Sequence, residues 1–195
     1  MNRDEILQHF RDAGALLEGH FLLSSGLHSP VYLQCARVMM DPARAALLSR
    51  ALADKVVAEL GPGGVDLVVS PAMGGVVVGY EMARQLGVPG IFTERVEGSF
   101  ALRRGFDIPA GAKVLMAEDI VTTGKSSREC IVCITDYGGT VVGASCLIDR
   151  SDGEVDLGVP LLSLTGYKVP AYAEDDLPPE LAAIPAVKPG SRDLK

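Results

Sequence analysis

The sequence predicts an α/β fold in which a central, mostly parallel sheet is flanked by helices. From residue 65 onward, apolar runs of strand length alternate with helical patterns, and such alternation favours parallel strands joined by right-handed crossovers. Glycine is frequent, with 22 among 195 residues, as suits a fold with many tight strand-to-helix turns. The hydrophobic fraction of 48% is enough to build a core and excludes a disordered chain.

The first 40 residues predict a helix followed by a small N-terminal hood. Residues 4–17 carry apolar side chains near one face of a helix, namely Ile6, Leu7, Phe10, Ala13 and Leu17. Residues 19–38 are punctuated by Ser, Gly and Pro, which indicates two short strands around a turn at 24–30.

A core is expected over residues 41–166, and a tail of loop with a short helix over 167–195. The core begins with a long helix from Asp41-Pro42 to about Leu60, because proline is tolerated in a first helical turn. The patterns then predict strands at 65–70, 89–94, 113–119 and 140–149 and helices at 76–86 and 126–137, with a turn at 71–75 and a long polar segment at 96–111. We expect the whole chain, 1–195, to form one domain.

Charge and apolar patterning narrow the possible partners. The formal net charge is −7 and there is no dense run of Lys and Arg, which argues against nucleic acid and anionic membranes as partners. A phosphate ligand stays possible because its site needs only local donors. No apolar stretch reaches the roughly 18 residues of a membrane span, and the first ten residues have no apolar signal core, so a cytoplasmic location is expected.

The cysteines and histidines do not predict a metal or redox centre. Cys130 and Cys133 form a C-x-x-C inside a helical pattern, without two further ligands at similar spacing. We expect them to be two small, half-buried side chains. His9, His20 and His28 are expected at the surface or in turns, with no catalytic role.

The segment 114–126 has the strongest functional pattern. An apolar strand leads into the carboxylates Glu118 and Asp119, and a turn of Thr, Gly and Ser then opens a helix. In open α/β sheets, ligands bind beyond the carboxyl ends of the strands. Backbone N–H groups and hydroxyls of the turn suit a phosphate, whereas the carboxylates suit sugar hydroxyls. A ribose 5-phosphate satisfies both halves.

Two other interpretations of this segment are open. Gly124-Lys125-Ser126 matches the end of a nucleotide-binding P-loop, but the first glycine of that motif would be residue 119, which is Asp119. A carboxylate there would repel the phosphates that the loop must wrap. The remaining alternative is an acidic strand end followed by an ordinary helix N-cap.

At this point the chain resembles the type I phosphoribosyltransferases. Residues 118–126, EDIVTTGKS, resemble their binding motif for 5-phosphoribosyl 1-diphosphate (PRPP), and residues 68–75, VVSPAMGG, resemble their pyrophosphate loop. Residues 20–34 resemble the hood of the orotate phosphoribosyltransferases, residues 93–106 take the place of the mobile catalytic loop, and residues 147–153 resemble the strand end that supplies an arginine to orotate.

The resemblance implies a type I phosphoribosyltransferase fold and transfer of ribose 5-phosphate from PRPP to orotate, with Mg²⁺ held mainly by PRPP and water rather than by the protein. Glu118 and Asp119 would hold the ribose hydroxyls and help to stabilise positive charge on the ring. The wider set implied for PRPP adds Ile120, Val121, Thr122, Thr123, Gly124, Lys125, Ser126, Gly74, Gly75 and Arg95. Arg150, Thr122, Ser25 and Gly26 are the residues implied for orotate.

The mobile loop of the family has no Lys or His here, and its basic residues are Arg95, Arg103 and Arg104. Arg103 and Arg104 are therefore the candidate catalytic cations for the leaving pyrophosphate, since a guanidinium matches phosphate with two hydrogen bonds; a solvated charge cluster is the alternative. We expect residues 96–106 to form a mobile lid, with a permanently ordered hairpin as the alternative. The resemblance further implies a homodimer in which the loop of one subunit closes over the site of the other. A phosphoribosyltransferase for another base and a PRPP-sensing regulator of the same fold are rival functions.

Overall fold

The computed structural model describes residues 1–23 and 26–188 and has a six-stranded sheet at its centre. The strands are β1 (Leu16–Leu22), β2 (His28–Leu33), β3 (Leu67–Pro71), β4 (Gly90–Val96), β5 (Ser99–Leu102), β6 (Lys113–Val121), β7 (Thr140–Asp149) and β8 (Leu161–Gly166). The helices are α1 (Arg3–Asp12), α2 (Cys35–Met39), α3 (Pro42–Leu60), α4 (Gly75–Leu86), α5 (Lys125–Asp136) and α6 (Pro179–Ala182).

The central sheet has the order β5-β4-β3-β6-β7-β8 and confirms the predicted fold class. Its strands are parallel except for β5, which pairs antiparallel with β4 at one edge. The helices α3 and α4 pack on one face and α5 packs on the other, so each face has its own apolar core. Parallel strands covered on both faces are buried throughout, and the side chains of β6 from Val114 to Ala117 are fully buried.

The N-terminal helix is shorter than predicted. It ends at Asp12 rather than at residue 17, because the chain turns at Gly14, whose φ of +59° is readily adopted only by glycine. The next residues form β1, which pairs with β2 in a two-stranded antiparallel hairpin. This hairpin is the hood, and it takes the place of the last predicted helical turn.

The tail packs against both edges of the hood. Tyr172 exchanges two backbone hydrogen bonds of 2.8 Å with His28, and Val187 pairs with Phe21. The expectation that the histidines lie at the surface is wrong for His20 and His28, which are 5% and 8% exposed. Their rings are hydrogen-bonded at 2.6 Å, and Nδ1 of His20 lies 2.7 Å from the carbonyl oxygen of Ile184. Polar rings can be buried here because the tail supplies their partner.

The structure has elements that were not predicted, and it gives the predicted polar segment 96–111 a defined form. Strand β8 extends the sheet beyond β7, and the short helix α2 links the hood to α3. The segment 96–111 starts as a β4–β5 hairpin at the sheet edge, which is the arrangement considered as the alternative to a mobile lid. Its mobility stays a prediction. Among the helices of the described residues, none has the length and apolar character needed to cross a bilayer.

Candidate functional site

The site is built where the central strands end. Strand β6 ends with Glu118, Asp119, Ile120 and Val121, two residues further than predicted, so the loop that follows is short. The loop after β3 comes close to Asp119, and a Cβ on Gly74 would lie 3.0 Å from Oδ1 of that residue. A side chain at this position would displace the carboxylate. The backbone of the loop after β3 and the carboxylate of Asp119 therefore share one space.

Glu118 is almost completely buried. Its side chain accepts a hydrogen bond of 2.5 Å from Oγ of Ser127, which lies in the first turn of α5 and is 1% exposed. Burial raises the pKa of Glu118 to about 7, and the Ser127 hydrogen bond offsets part of that effect. The carboxylate is therefore poised between its two protonation states near neutral pH.

Asp119 is half-buried and directed towards the loop after β3. Its Oδ1 accepts the N–H of Ile120 at 2.9 Å. Burial raises the pKa of Asp119, and the backbone hydrogen bond opposes that shift. Two neighbouring carboxylates with raised pKa values at one strand end are a candidate functional pair.

The loop Thr122–Gly124 leads from β6 into α5 and forms one wall of a cleft. Gly124 has a φ of +70°, and a Cβ there would lie 2.6 Å from Cγ1 of Val155. Only glycine fits this backbone and this contact. The cleft has a volume of about 460 Å³. It is lined by Arg95, Gly98, Glu118, Ile120, Val121, Thr122, Thr123, Gly124, Lys125, Ser126, Ser127 and Glu129. A short glycine turn ahead of a helix N-terminus can bind an anion through its backbone N–H groups.

Arg95 reaches this cleft from the end of β4. Its guanidinium lies 2.5 Å from a carboxylate oxygen of Glu129 on α5, and it donates a hydrogen bond of 2.7 Å to the carbonyl oxygen of Gly98. It also stacks 4.1 Å from the ring centre of Phe100. The structure therefore brings Arg95 to the cleft, where a cation can meet a phosphate ligand.

Arg103 and Arg104 are placed differently from Arg95. They follow β5 and make ion pairs with Glu94 at 3.8 and 2.6 Å. Side chains alternate along a strand. The side chain of Thr93 contacts Cys130 on α5 and that of Arg95 contacts Glu129 on α5, so Glu94 points to the opposite face. The two arginines accordingly lie outside the cleft of their own chain.

The residues expected to bind orotate lie at two places. Arg150 follows β7, and its backbone N–H donates a hydrogen bond of 2.8 Å to the carbonyl oxygen of Val121. Arg150 therefore lies beside the end of β6. Burial lowers the pKa of its guanidinium, and its side chain makes no hydrogen bond or ion pair within the described residues. Gly26 lies in the exposed turn of the hood, and Ser25 lies outside the described residues.

Sequence reasoning missed two residues in the first turn of α5. Ser127 is hydrogen-bonded to Glu118, and the guanidinium of Arg128 donates to the carbonyl oxygens of Thr123 and Asp156. The two serines at the start of α5 could have indicated the role of Ser127, because the third residue of this helix faces back towards the strand. Nothing local to Arg128 indicated its distant partner in the loop after β7.

The possible metal-ligating side chains of the described residues are scattered rather than clustered. Within residues 1–23 and 26–188, no cluster of three or more His, Cys, Asp or Glu side chains is arranged to hold a metal ion. Cys130 and Cys133 are free and lie on α5, buried in the sheet interface. Both side chains pack in the core, as small residues can, but they are buried rather than half-buried as predicted, with exposures of 0% and 5%.

Comparisons with known proteins match this chain along its length. Residues 41–158 match the phosphoribosyl transferase domain family. An orotate phosphoribosyltransferase of Maricaulis maris is 62% identical, and one of Caulobacter vibrioides is 59% identical, in both cases over 100% of each chain. The crystal structure of orotate phosphoribosyltransferase from Aeropyrum pernix is similar with a TM-score of 0.70 and 27% identity, covering 83% of this chain and 93% of that one.

Proposed function

We infer that this chain, which belongs to the orotate phosphoribosyltransferase family, transfers the ribose 5-phosphate group from PRPP to orotate. The products are orotidine 5′-phosphate and pyrophosphate, and the reaction belongs to de novo synthesis of pyrimidine nucleotides. The observation that supports this site most strongly is the end of β6, where Glu118 lines the cleft beside the short loop before α5 and Asp119 lies against the backbone at Gly74.

Glu118 and Asp119 hold the ribose of PRPP in this proposal. Carboxylates accept hydrogen bonds from vicinal hydroxyls, and their charge favours the positive, oxocarbenium-like ring that develops as pyrophosphate leaves. Burial makes the ionised forms costly. A bound ribose offsets that cost by donating hydrogen bonds that strengthen as ring charge develops.

The 5-phosphate binds in the loop Thr122–Ser126 at the start of α5. Backbone N–H groups there have no partners in the helix, and the helix dipole favours an anion. The hydroxyls of Thr122, Thr123 and Ser126 add donors, and Lys125 adds a positive charge close to the cleft. Ile120 and Val121 contribute the end of the strand, which lines the cleft next to this loop.

Pyrophosphate lies between the loop after β3 and Arg95. The absence of side chains at Gly74 and Gly75 lets it approach the backbone closely. Arg95 neutralises the charge of the pyrophosphate when its guanidinium leaves the carboxylate of Glu129 and binds a phosphate oxygen, which is a stronger acceptor with greater charge. The base is held by Arg150, whose half-buried guanidinium suits the orotate carboxylate, and by Thr122 and the hood residues Ser25 and Gly26.

Mg²⁺ fits this site as a companion of PRPP. The carboxylates beside the cleft can orient its water ligands, and the ion keeps most of its waters when it binds phosphates. When bound, Mg²⁺ neutralises charge on the leaving pyrophosphate. The residues of the chain orient the ribose, neutralise pyrophosphate and exclude water around that ion.

The enzyme works as a homodimer with shared sites in this proposal. Arg103 and Arg104 lie away from the cleft of their own chain, so they serve the site of the neighbouring subunit when their own lid closes over it. Met73, Val77 and Tyr80 form an exposed apolar surface beside the pyrophosphate loop, with exposures of 83%, 50% and 68%. A second copy of the chain that covers this surface brings its own loop next to the cleft. We also propose a cytoplasmic location, which cell fractionation tests.

A binding titration tests the choice of base. Orotate, adenine and uracil are each added to the protein with PRPP analogue and Mg²⁺, and their affinities are compared by calorimetry. We expect tight binding of orotate alone. Preference for adenine or uracil would identify a transferase for another base, and equal binding without later turnover would identify a PRPP-sensing regulator.

A further inference from the structure

Arg128 connects two segments that border the cleft. Its Nη2 donates to the carbonyl oxygen of Thr123 at 2.7 Å, and its Nη1 donates to the carbonyl oxygen of Asp156 at 3.0 Å. Thr123 belongs to the loop before α5, and Asp156 belongs to the segment 150–158 after β7. One guanidinium therefore joins two backbone segments that have no shared strand or helix.

The same two segments are also packed against each other. A Cβ on Gly124 would lie 2.6 Å from Cγ1 of Val155 and 2.8 Å from Cδ2 of Leu157. The segment is itself held by Asp149, which accepts the N–H groups of Ser151 and Gly153 at 2.8 and 2.9 Å. The loop before α5 thus rests on a fixed surface, and Arg128 clamps it there.

We propose that Arg128 is a positioning residue that holds the loop Thr122–Ser126 in the shape that binds the 5-phosphate of PRPP. The inference rests on the proposed function of this loop. Arg128 does not line the cleft, so it acts through the carbonyl of Thr123. With that carbonyl turned outward to Arg128, the peptide N–H groups of the loop are free to point towards the ligand.

The shape of the guanidinium decides which variant isolates this role. The planar fork of arginine donates to two carbonyls at once, whereas a lysine ammonium is a single point charge on a flexible stem. Arg128→Lys therefore keeps the positive charge near the phosphate and removes the double clamp. Arg128→Ala removes both. Arg50→Ala is the matched control, because Arg50 is an exposed helical arginine on α3 that forms an ion pair with Asp54 at 3.2 Å.

The experiment compares wild type with these three variants. Turnover of orotate by the wild type is measured first and tests the proposed function. Binding of PRPP with Mg²⁺ is then measured by calorimetry without orotate, and amide hydrogen exchange is followed in residues 122–126 and 150–158. We expect both Arg128 variants to bind PRPP about tenfold more weakly, as for loss of one charge-assisted hydrogen bond. Exchange should be faster in both segments, with kcat changed less than the KM for PRPP.

Wild-type affinity in Arg128→Lys would overturn the proposal, because charge alone would then explain the role of the residue. Unchanged exchange in residues 122–126 of both variants would also overturn it. Equal losses in Arg50→Ala would show a general effect of removing a surface arginine and would contradict the proposal as well. If the wild type binds PRPP but does not turn over orotate, the proposed function fails while the comparison at Arg128 keeps its meaning.

Discussion

Replacing Glu118 by glutamine should change how the stability of the protein depends on pH. Burial holds the pKa of Glu118 at about 7 instead of the ordinary 4.5, so the folded state binds a proton that the unfolded state releases. Between pH 4.5 and 7 the folded chain therefore carries more protons than the unfolded chain, and the free energy of unfolding falls as the pH rises. Below pH 4.5 the stabilisation is fully present, and above about pH 7 it is lost.

The magnitude follows from the same pKa values. A tenfold change in a protonation equilibrium corresponds to about 1.4 kcal/mol, so the buried carboxyl should account for about 3 kcal/mol of pH-dependent stability. In Glu118→Gln the amide keeps the size of the side chain and can still accept from Ser127, but it does not titrate. The difference in unfolding free energy, wild type minus variant, should therefore fall by up to about 3 kcal/mol from pH 4.5 to pH 7.5.

Urea denaturation of wild type and Glu118→Gln at half-unit steps of pH measures this difference. Asp119 is present in both proteins, so its own raised pKa largely cancels in the comparison. Glu129 serves as a control position, because its hydrogen bond with Arg95 lowers the pKa of its carboxylate. Glu129→Gln should therefore not reproduce the fall in the stability difference between pH 4.5 and 7.5. Parallel curves for wild type and Glu118→Gln would show that burial does not raise the pKa of this carboxyl as expected.

Three further predictions concern catalysis. Asp119→Asn should lower kcat by an amount equivalent to about 2–4 kcal/mol in the barrier while the fold is retained, and wild-type kinetics with normal circular dichroism would count against a ribose contact. Arg150→Ala should raise the KM for orotate much more than that for PRPP, and the reverse pattern in initial rates would move Arg150 to the phosphates. Mixing Asp119→Asn with an Arg103→Ala/Arg104→Ala double variant should restore activity if sites are shared, since one site in each mixed dimer has an intact loop and an intact carboxylate. Subunit exchange without any recovery would show that the loop acts in its own subunit or that the two arginines are not needed.

The parts of the fold that sequence predicted well are those with a strong local pattern. Strand β7 has the predicted bounds, because an apolar run lies between a glycine pair and Asp149. Helix α3 also has the predicted bounds, because the Asp41 side chain caps its start by accepting two backbone hydrogen bonds and Gly61 ends it. Strand β8 was missed because it lies at the sheet edge, where half-buried side chains leave a mixed pattern rather than an apolar run.

For the side chains at and around the candidate site, too, local sequence patterns predicted some features and missed others. The acidic pair and the loop after it were predicted because strand, carboxylates and helix start are consecutive in the chain. The burial of His20 was not predicted, because its hydrogen-bond partner Ile184 is 164 residues away in the sequence. The place of Arg103 and Arg104 depends on the pairing of β5 with β4, which turns the chain back along the sheet edge. Register and long-range packing are not encoded in a local pattern.

Steady-state turnover of orotate with PRPP and Mg²⁺ tests whether this chain catalyses the proposed transfer. Loss of orotate is followed by ultraviolet absorbance, and formation of pyrophosphate is measured in parallel, with adenine and uracil as competing bases. We expect one pyrophosphate to be released for each orotate consumed, with no turnover of adenine or uracil. Consumption of either other base in preference to orotate, or binding of PRPP without pyrophosphate release on adding orotate, would contradict it.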